Sequence, residues 1–181
     1  MEIIEVSHKV YDSFFKDILC FNKASFNELN SQKCEEVHYL FFKDKKIRLG
    51  LIYGKIGKNI SSPYSAPFGG FSTNNSKIRI EYIEESIGLL EDYLKRDDIE
   101  SAKIALPPLF YDDSFITKIT HVLYQKEWIL DQMDLNFYYV LDEISIDSGF
   151  PAMTYSARKN LSTSMGKNLK YSFWEDEEHL S

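Results

Sequence analysis

Apolar side chains recur at every second position on both sides of a short polar turn within residues 37–56. The turn is Asp44-Lys45, and the run before it is apolar on both faces. After the turn the same period continues through Ile47, Leu49, Leu51 and Tyr53. A period of two on both sides of a tight turn predicts a β-hairpin. Any fold open to this chain must therefore contain an antiparallel pair of strands, and the glycines along the second strand predict bulges or close backbone approaches.

Two amphipathic helices are predicted after the hairpin. The first has apolar residues spaced alternately three and four apart, at Ile80, Ile83, Ile87, Leu90 and Leu94. The second begins at Asp112 or Asp113 and carries its apolar face through residues 115–123. An apolar strand at residues 102–106 lies between them, so both helices are predicted to be crossovers between strands of one sheet.

Shorter patterns complete the order of elements. Residues 13–22 predict a first strand or turn, and residues 24–33 predict a short helix with Phe26 and Leu29 facing inward. Alternation over residues 128–141 predicts a last strand. This order predicts the α/β class (α+β in looser usage): a mixed, twisted, mostly antiparallel sheet flanked by helices.

Composition sets the broad class. The length of 181 residues fits one good-sized domain, predicted over residues 1–143, and 44% apolar residues are enough for a real core. Residues 144–181 are predicted to be a linker followed by a basic helix. The net charge of −7 argues against general nucleic-acid binding, because an acidic protein repels the phosphate backbone.

Cysteine and histidine placement points to a cytoplasmic protein without a metal site. Cys20 and Cys34 form no disulfide framework and no metal-ligand spacing, so we interpret them as buried thiols in a reducing compartment. The first ten residues lack the apolar core of a signal peptide. No histidine lies at ligand spacing from a second histidine, a cysteine or a carboxylate, and we expect no bound metal.

A rigid but accessible segment, residues 62–71, follows the hairpin. It contains two prolines, which fix φ, and the pair Gly69-Gly70, which permits backbone angles closed to other residues. The pair has two interpretations: a backbone nest that binds phosphate or carboxylate, or a tight structural turn. In the first, Ser65, Phe68, Gly69 and Gly70 are the candidate ligand-binding residues of this segment.

The Pro107-Pro108 corner ends the strand at residues 102–106 and is expected to lie beside the Gly69-Gly70 turn. Ligands of open α/β sheets bind beyond the carboxyl ends of parallel strands, which makes Pro108 a candidate contact. Tyr111 is a catalytic candidate as an acid or hydrogen-bond donor. The alternative is a tyrosine whose ring packs and whose hydroxyl meets solvent.

A basic cluster in the last part of the chain consists of Arg158, Lys159, Lys167 and Lys170. It could steer an anionic substrate such as a nucleotide-linked sugar, a tRNA acceptor end or a lipid-linked pyrophosphate, with Arg158 and Lys159 as binding residues. The alternative is a solvated helix face, which is what most charge runs are.

Three motifs together resemble the GNAT N-acyltransferase fold, and more narrowly the N-terminal half of bacterial double-GNAT proteins of the Fem-type aminoacyltransferase group. The motifs are Ser-Pro-Tyr-Ser-Ala-Pro-Phe-Gly-Gly-Phe at 62–71, Leu-Pro-Pro-Leu-Phe-Tyr at 106–111 and Ser-Ala-Arg-Lys-Asn-Leu at 156–161. The resemblance implies transfer of an acyl or aminoacyl group to an amine during cell-envelope polymer assembly. It also implies a second acyltransferase-like domain as partner, and acyl-CoA or aminoacyl-tRNA as donor for the full protein.

The sequence departs from the family pattern at residues 69–76. Active GNAT domains have a Gln/Arg-x-x-Gly-x-Gly/Ala run here, and this chain does not. We therefore expect no acetyl-CoA site and no cofactor on this domain. The alternative function is a non-catalytic binding or interaction module on the same scaffold. A face left for a second domain could instead produce a homodimer.

Overall fold

The computed structural model describes residues 1–138, 154–167 and 170, in two compact units, Met1–Asp134 and Leu135–Ser181. The first unit holds a six-stranded sheet and four helices. Its strands are β1 (Glu2–Glu5), β2 (Glu36–Lys43), β3 (Ile47–Ile56), β4 (Asn59–Ser62), β5 (Phe71–Ser72) and β6 (Ser101–Ile104). Its helices are α1 (His8–Phe14), α2 (Ala24–Leu29), α3 (Ile80–Arg96) and α4 (Asp113–Gln125). The second unit contains α5 (Tyr155–Met165).

The sheet is mixed and mostly antiparallel. Its order is β1-β2-β3-β4-β6, with the short β5 paired to β3. Every pairing is antiparallel except that of β4 with β6, where Asn59 lies opposite Ser101 and Ser62 opposite Ile104. The predicted α/β (α+β) class and the predicted hairpin are therefore confirmed. The parallel pair matters for function, because both of its strands deliver the chain to the same edge of the sheet.

Each face of the sheet has its own core, because successive side chains of a strand point to opposite faces. On one face Leu40 and Phe42 of β2 pack with the apolar stripes of α3 and α4. On the other face Tyr39 and Phe41 pack with Tyr11 of α1, whose ring stacks on Phe41 at 5.4 Å between centroids. The helices predicted from the 3.6-residue period, α3 and α4, form as expected, and Asp112 caps α4 through the Phe115 N–H.

The predicted strand or turn over residues 13–22 is wrong for its first part, which belongs to α1. Ser7 caps this helix by accepting from the Val10 N–H, and Tyr11 and Phe15 recur four apart on its buried side. Ahead of it, β1 was not predicted at all. The carboxylate of Asp12 then accepts hydrogen bonds from the first amides of α2, at 2.6 Å from the Ala24 nitrogen. Helix α1 therefore positions the start of α2 directly.

Two further sequence predictions need correction. Leu29 does not face inward: its side chain is 82% exposed, because the short α2 buries Ala24 and Asn27 instead. Residues 128–138 form no strand, and 139–141 lie outside the described residues. Alternation makes a strand only where another edge accepts its hydrogen bonds. In the described part of the chain no strand pairs with this segment.

The turn between β2 and β3 is held by a bidentate ion pair. Arg48 donates to both carboxylate oxygens of Asp44, at 2.9 and 2.6 Å, and the Lys46 N–H donates to the same carboxylate at 2.9 Å. The Arg48 guanidinium and the Lys46 N–H hold the pKa of Asp44 well below its usual range. A carboxyl whose pKa is lowered in the folded state stabilises that state only while it is ionised.

Asp44→Asn should therefore destabilise the protein at neutral pH, and less so in acid. The wild-type advantage should be complete above the unfolded Asp pKa of about 3.9 and shrink as pH falls toward the lower folded pKa. Urea denaturation of the wild type and of Asp44→Asn across this pH range measures the difference in their free energies of unfolding. The control is Asp92→Asn on α3, whose exposed side chain makes no ion pair within the described residues. A stability difference between wild type and Asp44→Asn that stays unchanged in acid would contradict a stabilising role of the ionised Asp44.

The second unit contains one described helix. Thr154 caps α5 by accepting from the Ala157 N–H. Arg158 and Lys159 lie exposed on this helix, and Lys167 and Lys170 are exposed after it. Residues 144–153, most of the predicted linker, lie outside the described residues. The division of the chain into a domain at 1–143 and a basic tail at 144–181 stays a prediction.

Candidate functional site

The two corners singled out in the sequence lie side by side. The Gly69 N–H donates to the Ala105 carbonyl at 2.8 Å, and the Ala105 N–H donates to the Ser62 carbonyl at 2.8 Å. Gly70 has φ +79°, and a Cβ placed there would stand 3.1 Å from the Leu106 side chain. The expected proximity of the glycine pair and the Pro107-Pro108 corner is thus observed, at the carboxyl ends of β4 and β6.

Polar contacts fix the segment between Ser62 and Gly69 against α2 and the turn after it. The Tyr64 hydroxyl donates to the Asn27 carbonyl. Ser65 donates to the Asn30 side chain at 3.0 Å and accepts from the Lys33 ammonium at 2.6 Å. The predicted ligand contact Ser65 is therefore already engaged within the chain.

Aromatic rings connect this segment to the proline corner. Phe68 contacts Phe21 on one side and Tyr111 on the other, each with 5.2 Å between centroids. Tyr111 also contacts Phe110 at 4.8 Å. Tyr111 lies on the short 3-10 turn Leu109–Tyr111 and is 48% exposed. Of the two roles predicted for Tyr111, the packed ring agrees with the contacts observed. Its hydroxyl remains available as a hydrogen-bond donor.

A cleft of about 330 Å³ opens beside the two corners, which we call the corner cleft. Its apolar lining comes from Ile18, Leu19, Phe71, Leu106, Pro107, Phe115, Ile116 and Ile119. Its polar lining comes from Asp17, Asn22, Ser72, Thr73, Tyr111 and Asp112. The cleft is therefore an apolar recess with polar groups among its walls, the usual character of a small-ligand site.

Predicted site residues contribute to the corner cleft unequally. Tyr111 lines it directly. Gly70 and Phe68 contact lining residues, Leu106 and Tyr111 respectively, and Pro108 begins the turn that carries Tyr111. Arg158 and Lys159 belong to the other unit. The role of each as a ligand contact stays a prediction.

The wall formed by residues 17–22 was missed in the sequence. Its central residue is Asn22, which is 6% exposed and donates from its amide to the Phe71 carbonyl at 3.3 Å. This bond joins residues 49 positions apart, so no local pattern could have shown it. The burial of this amide, which needs a partner, is visible only in the structure.

Ser72 is the most unusual polar group of the lining. It is 2% exposed, and neither its hydroxyl nor the buried hydroxyl of Tyr11 has a partner at full hydrogen-bond geometry among the described residues. Burial raises the pKa of Tyr11, and the adjoining Ser72 hydroxyl, close enough to act as its hydrogen-bond partner, acts in the opposite direction. The two buried hydroxyls therefore lie against each other, and neither of them indicates a ligand.

The charged groups of the lining are carboxylates. Asp112 is occupied as the cap of α4, with its oxygen 3.0 Å from the Phe115 nitrogen, and Asp17 is exposed. No histidine, cysteine or lysine lines the cleft among the residues described. The arrangement can bind and orient a ligand, but it offers no nucleophile paired with a base.

The two cysteines differ in their exposure. Cys20 is exposed, so its interpretation as a buried thiol is wrong, whereas Cys34 is half-buried and burial raises the pKa of its thiol. Within residues 1–138, 154–167 and 170, no three His, Cys, Asp or Glu side chains come together as a metal site. The helices described there are all too short or too polar to cross a membrane.

Comparison of the chain with protein-family models, curated proteins and solved structures finds no match in any of the three.

Proposed function

We propose that this chain is the N-terminal half of an acyl- or aminoacyltransferase-like protein, and that it holds part of a substrate in the corner cleft. The proposal assigns the chain to cell-envelope polymer assembly, following the resemblance of its three motifs. In it the domain lacks its own acetyl-CoA site, and a second acyltransferase-like domain supplies the catalytic groups. Acyl-CoA or aminoacyl-tRNA would be the donor for the whole protein.

The observation that carries the proposal is the position of the corner cleft. It opens beyond the carboxyl end of β6, which pairs in parallel with β4 in the described sheet, and Leu106 and Pro107 of its lining come shortly after that strand. At such a point the two chain segments diverge and leave a recess, and this is where open sheets with parallel strands bind ligands. Its lining of eight apolar and six polar residues suits a ligand with an apolar body and a polar end.

The chemistry of the lining supports a positioning role. Attack of an amine on an ester or thioester needs orientation and oxyanion donors more than a resident nucleophile. The hydroxyl of Tyr111, which is 48% exposed, is a donor of this kind within the lining. The proposal therefore gives this half the task of shaping the substrate groove.

The backbone at the corner supports the absence of an acetyl-CoA site. The Gly69 N–H is used by Ala105, so the predicted nest has one donor fewer for a pyrophosphate. The run at residues 69–76 also lacks the glycine spacing of the acetyl-CoA loop. The two observations are independent, since one concerns hydrogen bonds and the other sequence.

A second candidate function is an interaction module. Three large apolar side chains after α4 are strongly exposed: Ile129 at 91%, Leu130 at 67% and Met133 at 80%. Contiguous exposed apolar residues mark surfaces that bind other proteins. A module of this kind would use the sheet as a scaffold and leave the corner cleft without a substrate.

Ligand titrations followed by NMR separate the two functions. Acetyl-CoA, an aminoacylated RNA minihelix and a nucleotide-linked sugar peptide are the three probes. We expect the second or third probe to shift the amides of residues 71–73 and 106–107, and acetyl-CoA to leave those amides unchanged. Leu106→Trp, which fills the cleft, should weaken that binding by at least about tenfold through lost volume.

The matched control is Leu109→Trp, on the same corner but outside the cleft lining and 55% exposed. It should bind the probes as the wild type does. Micromolar binding of acetyl-CoA that Leu106→Trp weakens would contradict the missing acetyl-CoA site. If neither other probe shifts the cleft amides, the interaction module is the better account.

A further inference from the structure

A second pocket of about 370 Å³ lies on the first unit, between the β2–β3 turn and the loop that leads from β5 into α3. Four cationic side chains line it, Lys46, Arg48, Lys77 and Arg79, and no described carboxylate does. We call it the basic pocket. On a chain with a net charge of −7, a concave surface lined by four cations needs an explanation.

Pairing with nearby acids cancels only part of this charge. Asp44 pairs with Arg48 and Glu81 pairs with Arg79, whereas the ammonium groups of Lys46 and Lys77 make no ion pair with any described residue. Four cations against two carboxylates leave a net charge of two positive at the pocket. Repulsion among unpaired cations in one recess is unfavourable, and a bound anion removes it.

The guanidinium of Arg48 is held in a fixed orientation. Its side chain is 14% exposed, two of its five N–H groups bind Asp44, and its central carbon lies 3.8 Å from the centre of the Tyr82 ring. A guanidinium held by a carboxylate and an aromatic face loses little freedom when it also binds a ligand. The pocket therefore has a fixed cation in its wall and two exposed lysines in its lining.

Uncharged polar groups complete the lining. Thr73, Asn74 and Asn75 form the loop on one side, where Thr73 donates to the Arg48 carbonyl at 3.1 Å and so joins the loop to the β2–β3 turn. Helix α3 begins at the same loop, and Arg79 at its N-cap position gives it no side-chain cap. The volume exceeds that of a single phosphate ion, and cations with amides and hydroxyls are the groups that bind phosphate esters.

We infer that the basic pocket binds a small phosphate ester, with Arg48 as the fixed contact and Lys46 and Lys77 closing on the phosphate. The inference does not depend on the proposed function, since only Thr73 lines both recesses. A nucleotide and free inorganic phosphate share this chemistry. The size of the pocket favours the ester, because a free ion would leave most of the volume to water.

The test is calorimetric titration of the whole chain with ADP, pyrophosphate and inorganic phosphate at low and high sodium chloride. We expect ADP to bind most tightly, and salt to weaken the binding, since the attraction is between charges. The double variant Lys46→Glu, Lys77→Glu should reduce ADP affinity by at least about tenfold through charge reversal at two contacts.

The matched control is the double variant Lys9→Glu, Lys95→Glu, which makes the same change in net charge at two exposed lysines outside the pocket. It should bind ADP within about twofold of the wild type, because distant surface charges are screened. Phosphate bound as tightly as ADP would overturn the ester as the ligand, since the phosphate group alone would then be recognised. Absence of binding by all three probes at millimolar concentration, or equal losses in both double variants, would overturn the inference.

Discussion

Leu90→Ala is expected to lower the free energy of unfolding by about 2–5 kcal/mol, the range found when a buried leucine is truncated. Leu90 is fully buried on α3 and packs in the core that joins this helix to the sheet and α4. Truncation removes apolar contacts and leaves a cavity, which a close-packed core refills only in part. Urea denaturation with an unchanged slope measures the loss directly.

The matched control is the same substitution at Leu29, which is 82% exposed on α2. Leu29→Ala should change the free energy of unfolding by no more than about 0.5 kcal/mol, because a surface truncation removes little packing. Comparable losses at the two positions would mean that the side of α2 facing the protein is misassigned.

Gly50→Ala should destabilise the protein by about 1–3 kcal/mol or more, the cost of overfilling a core. Gly50 lies in the middle of β3, and a Cβ there would stand 2.3 Å from the Phe15 ring and 2.6 Å from the Tyr11 hydroxyl. Both neighbours are almost fully buried, so neither can move away without displacing α1. Thermal unfolding should show a fall in melting temperature of roughly 2–4 °C per kcal/mol for a chain of this size.

Gly88→Ala adds the same methyl group as Gly50→Ala, but it is expected not to lower the stability. Gly88 lies inside α3, and its nearest neighbour is the end of the flexible Lys126 side chain at 3.3 Å. Alanine is favoured over glycine in a helix interior by up to about 1 kcal/mol, so this variant should be as stable as the wild type or more so. A loss as large as that of Gly50→Ala would show that the space around α3 is tighter than described.

The elements predicted correctly are those that are determined by residues close together in the sequence. The hairpin and α3 follow from periods that repeat over ten or more residues, and the Asp112 cap follows from one side chain at a helix start. Helix α1 was missed because it has only seven residues, too few for its period to stand out. The predicted close approach of backbone and side chain along β3 is confirmed at Gly50, but its partners on α1 could not be read from β3 itself.

The sites were harder to predict because residues far apart in the chain build them. The proximity of Gly70 and Leu106 followed from reasoning about sheet topology, whereas the Asn22 wall depends on a contact across 49 residues. Cations close together in the sequence indicate residues 158–170 as the basic surface. The basic pocket instead joins cations from the start of β3 and the turn before it with cations from the loop after β5, and the pairing of these two strands brings them together.

The order of the sheet has a consequence for behaviour in concentrated solution. β1 and β6 are its outermost members in the described part of the chain, and each has four residues. Glu2 and Glu5 close β1, while Lys103 projects from β6 toward Asp131 at 3.1 Å. Short edge strands that carry charge discourage a neighbouring molecule from adding its own strand. Fibrous association by sheet extension is therefore disfavoured.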